Sequence, residues 1–430
     1  MRFLTSANAA RLVFAGLFAL APIGQARAAD AAGVLTTYSD IALAKYEDAL
    51  TTAQTLQARV QALIDKPSAA ALTAARNAWK AARVPYQQSE VYRFGNKIVD
   101  DWEGQVNSWP LDEGMIDYVD PKTYGESNED NPLYTANVIA NPKLKIAGED
   151  FDATDLNAVT LRKLHEADEV EANVATGYHA IEFLLWGQDL NGTGKGAGNR
   201  PWTDYAKGAA CTHGNCDRRG AYLAAVTGLL VEYLEEMVGN WQADGAARKA
   251  MTADGTDRGL AMIFIGMGSM SYGELAGQRM KLGLMLHDPE EEHDCFSDNT
   301  HNSHYYDAMG IRDAYLGSYK RIDGKTVVKG PALADLVKAK APAVDTELRK
   351  LLSATMDKMT ILKKTADSGE MAYDQMIGEA NPKGNAIVQA AIDALLAQTK
   401  GFEKAIETLG LGAVQFEGSE SLDEPQKVFK

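Results

Sequence analysis

The feature that most limits the fold is the period of the apolar residues. From Val34 to Ile64, the residues Leu35, Ile41, Leu43, Tyr46, Leu50, Leu56, Val60 and Leu63 recur at mixed steps of three and four. That spacing lines one stripe of an α-helix and no single face of a strand. Lys66-Pro67-Ser68 stops the run, and Ser68 can cap the helix that follows. This second helix is expected to reach about Phe94, with Trp79, Ala82, Tyr86, Val91 and Tyr92 in the core. Helical patterns return at about Leu156–Trp186, Arg219–Trp241, Asp257–Leu286, Pro331–Lys364 and Pro382–Leu409. Ile322-Asp-Gly-Lys-Thr-Val327 reads as a small hairpin, and runs of alternating strands are absent. The expected fold is all-α, two packed helical bundles with long irregular loops.

Three stretches break the helical pattern. Gly95 to Asp155 is rich in Gly, Pro, Asn and Asp and contains Asn107-Ser-Trp-Pro-Leu-Asp-Glu-Gly114; a long irregular stretch inside a compact domain is usually functional or flexible. Gln188 to Asn215 carries Gly192-Thr-Gly-Lys-Gly-Ala-Gly198, but no strand precedes it and no Gly-Lys-Ser/Thr closes it, so it reads as a flexible connection rather than a phosphate loop. Pro289 to His301 is acidic and histidine-bearing. The expected organisation is a leader at 1–28, an N-terminal bundle at 29–190, a connection at 191–218, a C-terminal bundle at 219–410 and a polar tail at 411–430. Repeated glycines between Gly259 and Gly283 predict close backbone approach along that helix, because glycine otherwise costs helix stability.

Arg2 and Arg11, the apolar stretch Leu12–Ile23 and the small-x-small pattern Ala26-Arg-Ala28 form a secretory signal, too short to span a bilayer as a mature helix. The expectation is export to the periplasm with cleavage after Ala28, no lipid-anchoring cysteine and no later transmembrane segment. The chain has 43 basic and 59 acidic residues, a net charge of −16, and loss of Arg2, Arg11 and Arg27 makes it more acidic still. That balance argues against nucleic acid and anionic membrane as partners and suits cations. Cys211 and Cys216 sit in Cys-Thr-His-Gly-Asn-Cys, where an oxidising compartment makes a disulfide the default; a metal site with His213 is the alternative. Cys295 is left without an assigned partner.

The chemistry concentrates in Gly177-Tyr-His-Ala-Ile-Glu-Phe-Leu-Leu-Trp-Gly187. His179 and Glu182 stand on one helix face about 60° apart. An imidazole and a carboxylate so placed can share a metal ion, much as ferritin-like bundles use an inward Glu-x-x-His pair. They can equally form a buried hydrogen bond that ties two helices. A ligating imidazole must be neutral, so metal affinity should fall as pH drops through roughly 6.5 for an unperturbed group.

Four segments, Gln88-Ser-Glu90-Val-Tyr-Arg93-Phe-Gly, Trp109-Pro-Leu-Asp112-Glu113, Gly177-Tyr-His179-Ala-Ile-Glu182 and His293-Asp-Cys-Phe-Ser-Asp298-Asn299-Thr-His301, together resemble the imelysin family, also called the insulin-cleaving membrane protease family. The resemblance runs from about Tyr38 to Gly410. It implies an exported two-bundle helical protein with its site near the interface of the halves and a link to iron; a related domain occurs in EfeO-type iron-uptake proteins. Carried over, His179 and Glu182 are the expected metal ligands. Glu90 and Asp112, hard oxygen donors in matching segments, are expected to complete the set, with Arg93, Trp109, Asp298 and His301 as positioning groups. One imidazole with carboxylates suits a divalent or trivalent ion, iron first, with zinc, manganese or calcium as alternatives. The implied role is iron acquisition with an iron-transport or outer-membrane partner protein. A metallopeptidase and a non-catalytic interaction module are the rivals. His-Glu-x-x-His is absent, since His165-Glu166 continues with Ala-Asp-Glu, and so is Gly-x-Ser-x-Gly.

Overall fold

The computed structural model describes residues 23–429, with side chains from Ala31 onward. The basic and apolar parts of the expected leader fall on residues 1–22 and lie outside the described residues. The helices are α1 (Ile23–Asp65), α2 (Ala69–Gln87), α3 (Lys97–Asn107), α4 (Ala158–Leu164), α5 (Gly177–Trp186), α6 (Cys216–Trp241), α7 (Ala246–Ala253), α8 (Thr256–Ser269), α9 (Leu282–Leu286), α10 (Thr300–Leu316), α11 (Leu333–Lys340), α12 (Pro342–Asp367), α13 (Tyr373–Ile377), α14 (Pro382–Leu409) and α15 (Glu420–Asp423). Two antiparallel hairpins are the described strands: β1 (Lys143–Ile146) with β2 (Glu149–Asp152), and β3 (Ser318–Lys320) with β4 (Val327–Lys329). The fold is mostly α, and β3–β4 flank the turn read as a hairpin. No helix among the described residues is long and apolar enough to cross a membrane.

The stripe of α1 is buried at Leu35, Ile41, Tyr46, Leu56, Val60 and Leu63 and packs on α2 and α6. Ser68 caps α2 by accepting from the Ala71 amide at 3.2 Å. The second helix ends at Gln87 rather than near Phe94. Pro85 lies inside its last turn and cannot donate to the preceding turn, so the chain passes into a short 3₁₀ turn at Glu90–Tyr92. α5 packs on α2, α3 and α6. α12, α14 and the stretch 270–281 form a second group, joined to the first where α10 meets α2 and α8 meets α1. α6 follows the glycine-rich connection yet returns to α1 and α5, so the helices of one group are not contiguous in sequence.

Three further expectations are corrected. The long helix Leu156–Trp186 is two helices, α4 and α5. Between them Glu166 and Asp168 take positive φ values of 54° and 61°, and Gly177 takes 85°; a Cβ on Gly177 would lie 2.4 Å from the Val106 carbonyl oxygen. The irregular stretch 95–155 contains α3, whose Trp102 and Val106 are buried. The segment Pro331–Lys364 breaks before Pro342, which opens α12 in the position where a missing N–H costs nothing.

The glycine-rich helix contains a π-helical segment, Met270–Lys281. The expected close approach holds at Gly259, where a Cβ would lie 2.1 Å from the Met251 carbonyl of α7, while Gly268, Gly273 and Gly277 admit the tail. A Cβ on Gly273 would meet the Glu417 carbonyl at 2.4 Å, and Ser421 donates to the Gly277 carbonyl at 2.9 Å.

Candidate metal centre

α5 carries His179 and Glu182, α2 carries Arg83, and residues 292–299 fold over both. His179 Nδ1 lies 3.2 Å from Glu182 Oε2 and 4.0 Å from Asp294 Oδ1. The His179 and His293 rings meet edge to face, centroids 4.7 Å apart. Asp294 Oδ1 accepts from Arg83 Nη2 at 2.8 Å and is 3.6 Å from His293 Nδ1; its Oδ2 accepts from Asn299 at 2.9 Å and from Ser303. Glu182 Oε1 accepts the Ser297 amide at 3.0 Å. His179, His293 and Asp294 each present a ligand atom within 4.8 Å of the others. His179 Nε2 is buried without a hydrogen-bond partner.

Burial governs the charges. His179 is 1% exposed and Glu182 and Asp294 are sealed. Burial, reinforced by Arg83, pushes His179 down to about 3, and burial with Arg279 pushes His293 well below the usual imidazole range. Burial, then repulsion from Asp294, pushes Glu182 well above the carboxylate range. Burial also works to raise Asp294, but Arg83, His179 and the Ser303 hydroxyl outweigh it and hold Asp294 at about 2. The centre therefore joins two imidazoles that burial favours neutral, one carboxylate paired with a guanidinium, and one carboxyl pushed toward its protonated form. The unperturbed value near 6.5 expected for His179 is corrected: burial and Arg83 lower it to about 3.

Of the remaining expected site residues, Glu90 is two links away. It accepts from Arg279 Nη2 at 2.5 Å and from Asn107 Nδ2 at 3.1 Å, and Asn107 accepts from Arg83 Nη1 at 2.5 Å. Arg279, from the π-helical segment, also reaches Glu274 and Asp307. Asp112 is half-buried and accepts from Asn131 at 2.6 Å, apart from the histidines. Arg93 pairs with Asp100 and Glu103 at a partly exposed position. Trp109 sets its ring 5.7 Å from His293, at the edge of a cleft of about 650 Å³ that reaches His293 past Arg93, Asn107 and Arg279. His301 pairs with Asp367 at 3.2 Å. Asp298 joins Glu292 and Asp374. Cys211 and Cys216 are joined by a disulfide, and Cys295 is free.

His293, Asp294 and Arg83 are the members of the centre that sequence reasoning did not select. The adjacent His293-Asp294 pair at the head of the fourth segment was the available signal for two of them. Arg83 sits in an ordinary amphipathic helix and gave none.

A mostly helical chain with a buried histidine–carboxylate centre on a Gly-x-His-x-x-Glu helix is the class that this geometry defines. The chain belongs to the imelysin family: the family model described as Imelysin matches residues 42–401. Iron-regulated protein A of Synechococcus elongatus is 37% identical over 57 residues, which are 13% of this chain and 16% of that protein, so the match spans about a sixth of the relative. The fold is similar to a crystal structure of a candidate iron-regulated protein A precursor from Parabacteroides distasonis ATCC 8503, with a TM-score of 0.65 and 17% identity, covering 89% of this chain and 95% of that one.

Proposed function

We propose that this chain is an exported, periplasmic metal-binding protein of iron acquisition, and that His179, His293 and Asp294, with Glu182 beside them, hold the ion. The observation that carries the reading is the orphaned Nε2 of His179 in a sealed polar centre. A buried imidazole nitrogen without a partner costs free energy that a metal would recover. Two imidazoles with a carboxylate are a donor set that suits ferrous iron and, second, zinc. The name of the Synechococcus relative supports the link to iron. Glu90 and Asp112, proposed from sequence as ligands, are better read as supports. Glu90 orients Asn107 and, through it, Arg83; Asp112 braces the loop that carries Trp109.

The peptidase reading is less well supported, because His179, Glu182 and Asp294 are buried behind His293, where the cleft ends. Anaerobic titration of Fe(II), and of Zn(II), into chelator-stripped protein tests the proposal. About one equivalent should bind and raise the melting temperature, and His179→Ala and His293→Ala should each weaken binding tenfold or more. Absence of binding, or binding indifferent to both substitutions, would overturn it. Chelator-sensitive cleavage of an unfolded polypeptide that His179→Ala abolishes would favour the peptidase instead.

A further inference from the structure

A second cluster lies outside this centre. Glu292 follows the 3₁₀ turn at Pro289–Glu291, Asp298 sits at a left-handed position just before α10 with φ 52°, and Asp374 belongs to α13. Distant parts of the chain thus bring three carboxylates together, each offering an oxygen within 4.8 Å of the others. Glu292 is 1% exposed and its Oε1 has no hydrogen-bond partner. Asp374 is equally buried and neither of its oxygens has one; the amide of Gln375 faces it without closing a bond. Asp298 Oδ1 is likewise unpartnered. Lys80 is a basic side chain whose charge acts on Asp298, and its ammonium donates to the Ser297 carbonyl at 3.1 Å rather than to any of the three carboxylates. Unpartnered buried carboxylates are costly unless something cationic completes them.

We infer that Glu292, Asp298 and Asp374 form a second cation site, for a hard, oxygen-ligated divalent ion such as Ca²⁺ or Mn²⁺. The donors are all carboxylate oxygens, with no nitrogen or sulfur, the set that hard cations select. Oxygens within 4.8 Å of one another need only a small side-chain adjustment to close on an ion at about 2.3–2.6 Å, the usual calcium–oxygen distance, with water free to fill the remaining positions. A small acidic pocket lined by Glu113, Asp189, Glu290 and Glu292 adjoins the cluster at Glu292. Burial and the neighbouring Asp298 raise Asp374 to about 7, as expected of a carboxylate whose counter-charge is absent. Because residues 292–294 serve both clusters, an ion here would also brace the segment that carries His293 and Asp294.

The test is calorimetric titration of Ca²⁺ and Mn²⁺ into chelator-treated full-length protein, with melting followed in parallel. One equivalent should bind and raise the melting temperature. Asp374→Asn should weaken binding at least tenfold, and Asp298→Asn, at a half-exposed position that tolerates change, should weaken it several-fold. His179→Ala should leave it intact, which separates this site from the histidine centre. Failure of the wild type to bind either ion, unchanged binding in Asp298→Asn, or loss of Ca²⁺ binding in His179→Ala would each overturn the inference.

Discussion

Arg83 is the internal counter-ion of the histidine centre, and its removal should expose the cost of burying Asp294. Arg83→Met nearly conserves the length of the side chain, keeps the apolar stem against Trp79 and Tyr178, and deletes the charge. Both partners are sealed, with side-chain exposures of 1% and 0%. Breaking a buried pair by removing one partner costs about 3–5 kcal/mol, because the survivor is left uncompensated. A smaller bound comes from Asp294 itself. Its descent from 3.8 to about 2 is worth about 2 kcal/mol, at about 1.4 kcal/mol per unit. The first figure counts a stranded charge and the second only the net preference for ionisation, so the loss should fall between them and reach the upper range near neutrality. The sign follows from linkage. A depressed carboxylate contributes stability above its unfolded value of 3.8, lost as pH falls through about 2. Without Arg83, burial is opposed mainly by the hydrogen bonds from Ser303 and Asn299, so Asp294 rises and the variant can relieve itself by taking up a proton. The difference between wild type and variant should therefore be largest near pH 7.5 and shrink toward pH 4. Urea unfolding of both proteins at the two pH values measures it. A loss below about 1 kcal/mol at pH 7.5, or one independent of pH, would refute the role given to Arg83.

Other consequences are equally accessible. Glu182→Gln should cost under about 1 kcal/mol near neutrality, because burial favours the neutral form of Glu182 and an amide nearly preserves its shape. Since its folded value is raised, its stability contribution is present at low pH and lost as pH rises, so the variant should gain on wild type in alkaline unfolding experiments; its metal affinity should still drop. Gly177→Ala should destabilise by about 2–4 kcal/mol, combining about 1–2 kcal/mol for a left-handed alanine with overpacking against the Val106 carbonyl; a neutral melting curve would refute the close approach of α3 and α5. Reduction, or Cys211→Ser with Cys216→Ser, should cost about 2 kcal/mol, since a sequence separation of 5 closes only a short loop. A larger cost by denaturant titration would mean that the bridge does more than constrain the unfolded chain.

What the sequence disclosed divides along a physical line. Helices driven by apolar periodicity were legible almost to the residue: α14 is Pro382–Leu409, as read. Boundaries imposed by tertiary contact were not. Nothing local at Gly177 distinguishes a helix start from a helix interior; the difference is the Val106 carbonyl pressed against it. Nor did Gly268, Gly273 and Gly277 reveal that they admit the tail, because the tail lies more than a hundred residues later in the chain. In the centre, His179 and Glu182 were visible because three residues separate two ligand types on one helix. His293 and Asp294 come from another part of the chain, and a preference for hard oxygen donors within the family-like segments favoured Glu90 and Asp112 over them.

The charges explain why the centre is built this way. An uncompensated cluster of carboxylates around His179 would open the core to water, and Arg83 prevents this by neutralising Asp294 while Ser297 and Asn299 hold the covering segment down. The same contacts bear on the proposed binding. A cation held as proposed would compete with Arg83 for Asp294, and Asn107, which already accepts from Arg83 Nη1, with Glu90 behind it, would keep the guanidinium hydrogen-bonded.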